Sequence, residues 1–363
     1  MLRLGLIGLP QSGKTTVFNA LSGSKAVVGD YSTAKSANIA VVKVPDKRID
    51  RLVEIFQPKK ITLAEIEYVD IAGFTKGSSS DRKKEAAYVH SLRQTDSLLH
   101  IVRCFENDNV PRPDGSIDPK RDIYDVDTEL ILSDLGLVET RLEKMEHTQK
   151  VTKKDFDEIQ FNVLQKCRQA LENEKPLRTL DLNEDEKKSI GGFRFLSQKP
   201  MLYILNLDEN QYREWQKWES DFAYLLETSQ SLLSHICATL QMDIADFDEG
   251  ERDDFMKELG IDEMASDIII KKSFELLGLI AFLTGGSPEV HSWPIRRGTN
   301  AQEAAGTIHT DLQKGFIKAE VVSFEDLDRL GSWAKARDEG KLRLQGKDYV
   351  VQDGDVMLFR FNV

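Results

Sequence analysis

The sequence predicts an α/β fold: a doubly wound, mostly parallel sheet, interrupted by an inserted α-helical hairpin and followed by a smaller C-terminal domain. Three features predict it. Short apolar runs alternate with helix-compatible stretches over the first hundred residues and again near residue 200. A stripe of apolar residues at steps of three and four fills the region between about Asp127 and Pro200. Beyond about residue 281, glycine and proline crowd together and the pattern turns strand-like.

In order along the chain, residues 2–7 form an apolar run that stops at Gly8-Leu9-Pro10, and a helix-compatible stretch follows over 14–21. Further strands are expected over 39–44, 64–70, 97–104 and 201–205. In the interruption, Leu135, Val138, Leu142 and Met145 share one helical face, and Phe156, Ile159 and Val163 repeat the pattern after a polar turn. Two antiparallel helices packed through these stripes are the simplest reading, since isolated helices are stabilised mainly by burying such a face. A helical tract is expected to run to about Leu283, before Gly285, Gly286, Pro288, Pro294 and Gly298. Residues 349–351 and 356–363 flank Asp353-Gly354 and are expected to pair as a hairpin. The division is therefore 1–126 with 198–280, then 127–197, then 281–363.

At 363 residues the chain exceeds what one hydrophobic core usually supports. With 40% hydrophobic and 30% charged residues and a mean hydropathy of -0.39, it has the profile of a soluble globular protein. No stretch approaches the roughly 20 apolar residues of a membrane helix, and the start reads as a strand rather than a signal peptide, so a cytoplasmic location without membrane association is expected. Cys104, Cys167 and Cys237 show no paired spacing, and no His or Cys pair has metal-ligand spacing, which excludes a disulfide framework or a zinc knuckle. The net charge of -12 argues against blanket adhesion to nucleic acid and against DNA sequence reading. Residues 281–363 carry 11 Lys plus Arg against 12 Asp plus Glu, so the tail is the less repulsive surface for RNA.

The chemistry concentrates at Gly8-Leu-Pro10-Gln11-Ser12-Gly13-Lys14-Thr15, which satisfies G-x-x-x-x-G-K-[ST] between a strand and a helix. Such a loop folds its backbone around phosphates, whose charge meets successive N–H groups and the helix N-terminus. Lys14 would reach the terminal phosphates of a nucleoside triphosphate, Thr15 would ligate Mg²⁺, and Thr16 would extend the cradle. A ligand-free glycine turn is the competing reading, and the full eight-position match in this context disfavours it.

The strand over 64–70 ends in Asp70-Ile-Ala-Gly73, a carboxylate placed to hold the magnesium shell and a glycine whose N–H would meet the terminal phosphate. The strand over 201–205 runs into Asn206-Leu207-Asp208-Glu209, where GTPases carry N-K-x-D. Glu209, one methylene longer than Asp, cannot offer both oxygens to guanine in the same way, and adenine lacks the 2-amino donor. ATP is therefore favoured over GTP.

Together with these motifs, HIVRCFEND from His100, ICATLQMDI from Ile236, GTIHTDLQKGFIKAEV from Gly306 and FRFNV from Phe359 resemble the YchF-type Obg-like ATPase family of TRAFAC P-loop NTPases, along nearly the whole chain. The resemblance implies that the C-terminal domain is a β-grasp (TGS) module, that ATP is hydrolysed, and that the protein associates with ribosomes or ribosomal RNA, as a monomer. By position it implies that Asn206, Leu207 and Glu209 contact the base and that Ala238 offers backbone to it. Departures from the family bear on rate. Phe74 stands where small GTPases orient water with Gln, so hydrolysis should be slow. Residues 80–86 replace the usual glycine-rich switch with a helix-prone stretch, and Ala34 occupies the first-switch Thr position, leaving Thr33 or Ser36 as the second magnesium hydroxyl. Arg112 replaces a loop histidine, and a surface salt bridge is the simpler use for it than an arginine finger.

The expectation is a slow, Mg²⁺-dependent ATPase with Lys14, Thr15, Asp70 and Gly73 catalytic and Thr15, Asp70 and Thr33 on the metal, acting as a nucleotide-controlled ribosome- or RNA-associated factor. The alternatives are a nucleotide-binding protein-interaction regulator that does not hydrolyse, and an Obg-type GTPase.

Overall fold

The computed structural model describes residues 2–23, 38–71, 82–112, 115–151, 156–226, 228 and 230–362. Its first elements are β1 (Arg3–Ile7), α1 (Lys14–Ser22), β2 (Asn38–Lys43), α2 (Lys47–Phe56), β3 (Lys60–Thr62), β4 (Glu65–Asp70), α3 (Arg82–Arg93) and β5 (Ser97–Arg103). Next come α4 (Pro119–Val151), α5 (Glu158–Glu172), α6 (Glu184–Ile190), β6 (Met201–Asn206), α7 (Glu209–Arg213), α8 (Trp215–Asp221) and β7 (Ser231–Ile236). After α9 (Ala238–Ala245), α10 (Glu249–Leu259) and α11 (Ala265–Leu276) follow β8 (Leu279–Gly285), β9 (Glu289–Arg296), α12 (Ala301–Ile308) and α13 (Thr310–Lys314). The chain ends with β10 (Phe316–Ser323), α14 (Phe324–Leu330), α15 (Trp333–Asp338), β11 (Arg343–Gln345) and β12 (Asp355–Phe361). These elements form two compact units, Leu2–Ala40 with Glu67–Lys272, and Val41–Ile66 with Ser273–Val363.

The larger unit is built on a sheet of order β2-β4-β1-β5-β6-β7, in which β4, β1, β5, β6 and β7 pair parallel in turn. Every residue of β5 and β6 is buried, as expected for central strands covered on both faces. The strands at 3–7, 38–43, 65–70, 97–103 and 201–206 match the sequence expectation. The strand β7 went unread because Ser231, Ser234 and His235 interrupt its apolar run, although its Leu233 and Ile236 are buried.

The helix α4 is 33 residues long, about 50 Å at 1.5 Å per residue, and serves two cores. Ile123, Val126 and Leu130 near its start pack with sheet residues such as Leu98, Val102 and Met201. Val138, Leu142 and Met145 farther along pack with Val163, Leu164 and Cys167 of α5. The predicted hairpin is thus present. One position of its stripe is corrected: Ile159 is 52% exposed, because it sits in the first turn of α5 and points away from α4, while Phe156 and Phe161 take the apolar contact.

A buried polar joint fastens this insert to the sheet. Arg178 donates to Asp127 of α4 and to the Tyr203 hydroxyl of β6, each at 2.7 Å, and Tyr203 donates to the other Asp127 oxygen at 3.1 Å. His100 of β5, 1% exposed, lies tilted against the Tyr203 ring at 5.7 Å. Burial pushes its imidazole down to about 4, with Arg178 and Lys14 working in the same direction and Asp127 opposing.

The smaller unit holds a mixed sheet of order β11-β10-β12-β8-β9-β3. The helix α12 buries Ala301, Ala304 and Ala305 in a core with Phe282, Val321 and Phe359, a β-grasp arrangement. A second core joins Ile49 and Leu52 of α2 to Leu283, Val290 and Val356. Two expectations are corrected here. The helix expected to reach about Leu283 ends at Leu276, Gly278 turns the chain at φ +67°, and 279–283 is a buried strand, which an apolar run alone does not distinguish from helix. The hairpin expected across Asp353-Gly354 does not form. Residues 349–351 instead bond to 299–301, through Ala301 N to Tyr349 O at 2.8 Å and Val351 N to Thr299 O at 3.0 Å. The strand β12 pairs antiparallel with β10 and parallel with β8. Asp355, 2% exposed, closes the turn by accepting from Gln352 N and the Tyr349 hydroxyl.

The state of His100 has a checkable consequence. Its folded-state pKa lies below the ordinary value of 6.5, so its contribution to stability is present above pH 6.5 and is lost as pH falls toward about 4. Its imidazole proton resonance should hold the neutral position from pH 8 down to 5. The unfolding free energy should fall with acid more steeply in the wild type than in His100→Gln, by up to ~1.4 kcal/mol per pH unit. An NMR titration midpoint near 6.5 would contradict this.

Candidate functional site

The turn from β1 into α1 is dictated by its glycines. Gly8 sits at φ +147°, and a Cβ there would lie 2.4 Å from the carbonyl oxygen of Ile101. Gly13 caps α1 in the left-handed region at φ +89°, and a Cβ there would lie 2.3 Å from the Asn206 amide nitrogen. Only glycine fits either position. Between them Gln11 also adopts a positive φ of 64°, so the loop curls with Pro10 and Gln11 exposed and Ser12 buried. Thr16 is half-buried in the first turn of α1.

Lys14 curls back over the loop. Its ammonium donates to the carbonyls of Gly8 and Leu9 at 2.8 and 2.9 Å. Burial lowers its pKa, and the Asp70 carboxylate works against that shift. At the C-terminal edge of β4, Asp70 accepts from the Thr15 hydroxyl at 3.4 Å and is raised by burial, against which Lys14, Asn38 and Thr15 act. Lys14, Thr15 and Asp70 are therefore brought together as the sequence suggested. Thr33, Ser36 and Ala34 of the first switch, and Gly73 and Phe74 of the second, lie outside the described residues. Of the stretch 80–86 read as helix-prone, residues 82–86 are helical, within α3.

Asn206 occupies the end of β6 and is 3% exposed. Its amide nitrogen donates to the Ser12 carbonyl at 3.1 Å and its amide oxygen accepts from Ala238 N at 3.3 Å. Its own carbonyl takes the N–H groups of Cys104 and Phe105 at 3.0 and 3.1 Å. One residue thus ties together the phosphate-type loop, the β5 exit and the start of α9. Leu207 is buried in the core, whereas Glu209 is exposed as the first residue of α7. Asp208 caps that helix by accepting from Asn210 N and Gln211 N, and Gln211 donates back to the Cys104 carbonyl at 2.9 Å.

Several contributors were not legible beforehand. Arg103, 6% exposed, donates to the carbonyls of Phe105, Val110 and Pro111 and lies 4.7 Å over the Phe105 ring, fixing the loop beside Gly13. Asn38, at the first position of β2, hydrogen-bonds Asp70. Neither carries a motif signal, because Asn38 meets Asp70 across intervening elements and the Arg103 contacts, two to eight residues ahead, depend on the shape of an irregular loop. Arg112 pairs with Asp108 at 3.4 Å and Glu106 at 3.9 Å, the surface salt bridge anticipated as the simpler use. Among the described residues no group of three or more His, Cys, Asp or Glu could hold a metal by itself, and no helix is long and apolar enough to cross a membrane.

A family profile described as "50S ribosome-binding GTPase" matches residues 3–134, and the YchF GTPase C-terminal family, described as of unknown function, matches 279–362. The "Ribosome-binding ATPase YchF" of Bacillus subtilis (strain 168) is 38% identical over 367 residues, covering 100% of both chains. That of Escherichia coli O157:H7 is 40% identical over 363 residues, covering 99% of each. The solved YchF GTPase of Schizosaccharomyces pombe superposes with a TM-score of 0.83 at 30% identity, over 99% of this chain and 97% of that one. With a P-loop framed by these contacts and likeness along its full length, the chain belongs to the YchF family of P-loop NTPases.

Proposed function

We propose that the protein is a slow, magnesium-dependent ATPase that prefers ATP to GTP and acts as a nucleotide-controlled factor on ribosomes or ribosomal RNA, in the cytoplasm. The observation that carries this reading is the joint placement of Lys14, Thr15 and Asp70 around a loop whose glycines leave its backbone open to phosphate. The relatives named ribosome-binding ATPases support the substrate and the partner.

In this reading the N–H groups of residues 11–16 and the start of α1 receive the phosphates. The Lys14 ammonium shifts from the Gly8 and Leu9 carbonyls to the terminal phosphate oxygens, exchanging one set of oxygen acceptors for a charged one. The Thr15 hydroxyl and the Asp70 carboxylate, 3.4 Å apart, are hard oxygen donors of the kind Mg²⁺ takes, with Thr33 as a third. Bound there, Mg²⁺ would neutralise charge on the terminal phosphates. Gly73 would offer its N–H to the same phosphate. Asn206 acts through the loop it holds, while Glu209 and the backbone of Leu207 and Ala238 line the base. Phe74 offers no hydrogen bond to a water, which supports slow turnover. As a functional division we propose 1–126 with 198–280, 127–197 and 281–363, although 41–66 and 273–280 pack in the compact unit of the C-terminal residues.

Turnover of ATP and GTP, measured side by side, tests this. ATP should be hydrolysed faster than GTP, and Lys14→Ala should lose roughly 10²-fold or more. Equal rates in Lys14→Ala, or a preference for GTP, would contradict the reading. Asn206→Ala should weaken magnesium–ATP binding by about tenfold, because the Ser12 carbonyl and Ala238 N–H lose their shared partner at a cost of about 1–3 kcal/mol. Calorimetry giving an unchanged Kd would show that the bridge is not needed.

A further inference from the structure

The helix α3 follows directly on the second-switch segment, and its last residue grips the inserted hairpin. Arg93 donates to Asp134 of α4 at 3.0 Å, to the Ser133 hydroxyl at 3.1 Å and to the carbonyl of Arg194 at 3.1 Å. Asp134 is fully buried, and its two oxygens also accept from Leu196 N, Ser197 N and the Ser197 hydroxyl at 3.0, 2.7 and 2.8 Å. The segment returning to β6 grips the same helix end. Lys199 donates to the Arg93 and Thr95 carbonyls, and Arg194 donates to the Gln94 side chain at 2.8 Å.

Two further features give this clamp a role. Asp134 lies where α4 changes cores: Leu130 belongs to the sheet core, and Ile131 and Val138 belong to the hairpin core. Between the later part of α3 and the early part of α4 lies a mainly apolar pocket. Tyr88 and Val89 of α3, Val126 and Leu130 of α4, and Gly8 and Leu9 of the phosphate-type loop all line it. Ser133, an Arg93 acceptor, also lines the pocket. The clamp therefore adjoins a pocket whose lining includes the loop that holds Lys14.

We propose that Arg93 is a positioning residue which sets the angle at which the hairpin leaves the nucleotide domain and passes the nucleotide state from α3 to α4 and α5. The inference rests on the nucleotide-controlled reading above. A packed helix moves largely as a unit, so a shift of α3 at Tyr88 and Val89, which share a pocket with the loop, is carried over the five residues from Tyr88, about 7.5 Å, to Arg93. The planar fork of Arg93 holds several acceptors in fixed directions, and the fully buried Asp134 has no solvent to turn to. The shift is thereby delivered at the middle of a helix whose outer half is the hairpin.

The test is hydrogen exchange of the full-length chain, comparing residues 138–150 and 158–170 with magnesium and either ADP or the β,γ-methylene analogue of ATP. Wild type, Arg93→Ala and Arg93→Lys are compared, and calorimetry measures each nucleotide affinity. In the wild type, hairpin exchange should differ between the two states by about fivefold. In Arg93→Ala the difference should vanish while affinities stay within about twofold. Arg93→Lys, which keeps the charge but not the fork, should retain part of it, and it supplies the result should the alanine variant fold poorly. A full difference in Arg93→Lys and Arg93→Ala would overturn the inference, as would nucleotide binding by the wild type with no hairpin difference. Absence of nucleotide binding by the wild type would remove the underlying function as well.

Discussion

The close approach of Asn206 to the phosphate-type loop is the constraint on which the rest of the site depends. With the amide nitrogen 2.3 Å from where a Cβ on Gly13 would stand, the loop accepts only glycine there, and the loop backbone is pinned through the Ser12 carbonyl. The same side chain holds Ala238 N, so the start of α9 is fixed relative to the loop by one buried residue. Lys14 and Thr15 follow directly in sequence, so Lys14 folds back onto the Gly8 and Leu9 carbonyls while Thr15 reaches Asp70. Preorganisation of this kind matters because phosphate recognition relies on dipoles and charges already aimed, not on groups that must be ordered at the moment of binding.

Around that centre, polar contacts place the accessory parts. The Arg178–Asp127–Tyr203 joint and the Arg93–Asp134 clamp hold the insert at two points, one against the sheet and one against α3. A buried carboxylate such as Asp134 is tolerable because its desolvation is met by an ion pair and three further donors. Burial still raises it, with Ser197, Leu196 and Arg93 pulling it back toward the charged form. Contacts of this type specify orientation more than they add stability, which suits a hinge between a catalytic core and an appended hairpin.

Much of this was legible in the sequence because its determinants are local. The G-x-x-x-x-G-K-[ST] stretch is one contiguous turn, residues 201–205 are an unbroken apolar run, 97–103 keep Leu98, Leu99, Ile101 and Val102 apolar, and the α4 stripe repeats at helical spacing. What escaped depends on distance in sequence. The bridging by Asn206 spans 194 residues, and the grip of Arg93 on Arg194 spans 101, neither with a spacing signature. The terminal hairpin was misread for the same reason: Asp353-Gly354 carries a turn signal, but the partners of β12 are β10 and β8, far off in the chain. The helical tract expected to reach about Leu283 failed on ambiguity of a different kind, since a short buried apolar run suits helix and central strand alike.

The central physical claim is that loop amides and the Lys14 ammonium together neutralise a polyphosphate. Titration calorimetry of the purified protein with ATP and Mg²⁺, repeated with AMP, addresses it most directly. The account predicts saturable one-to-one uptake of ATP, at least about a hundredfold weaker for AMP, which lacks the phosphates these groups would hold. Equal affinity for ATP and AMP, or no heat with either, would contradict it.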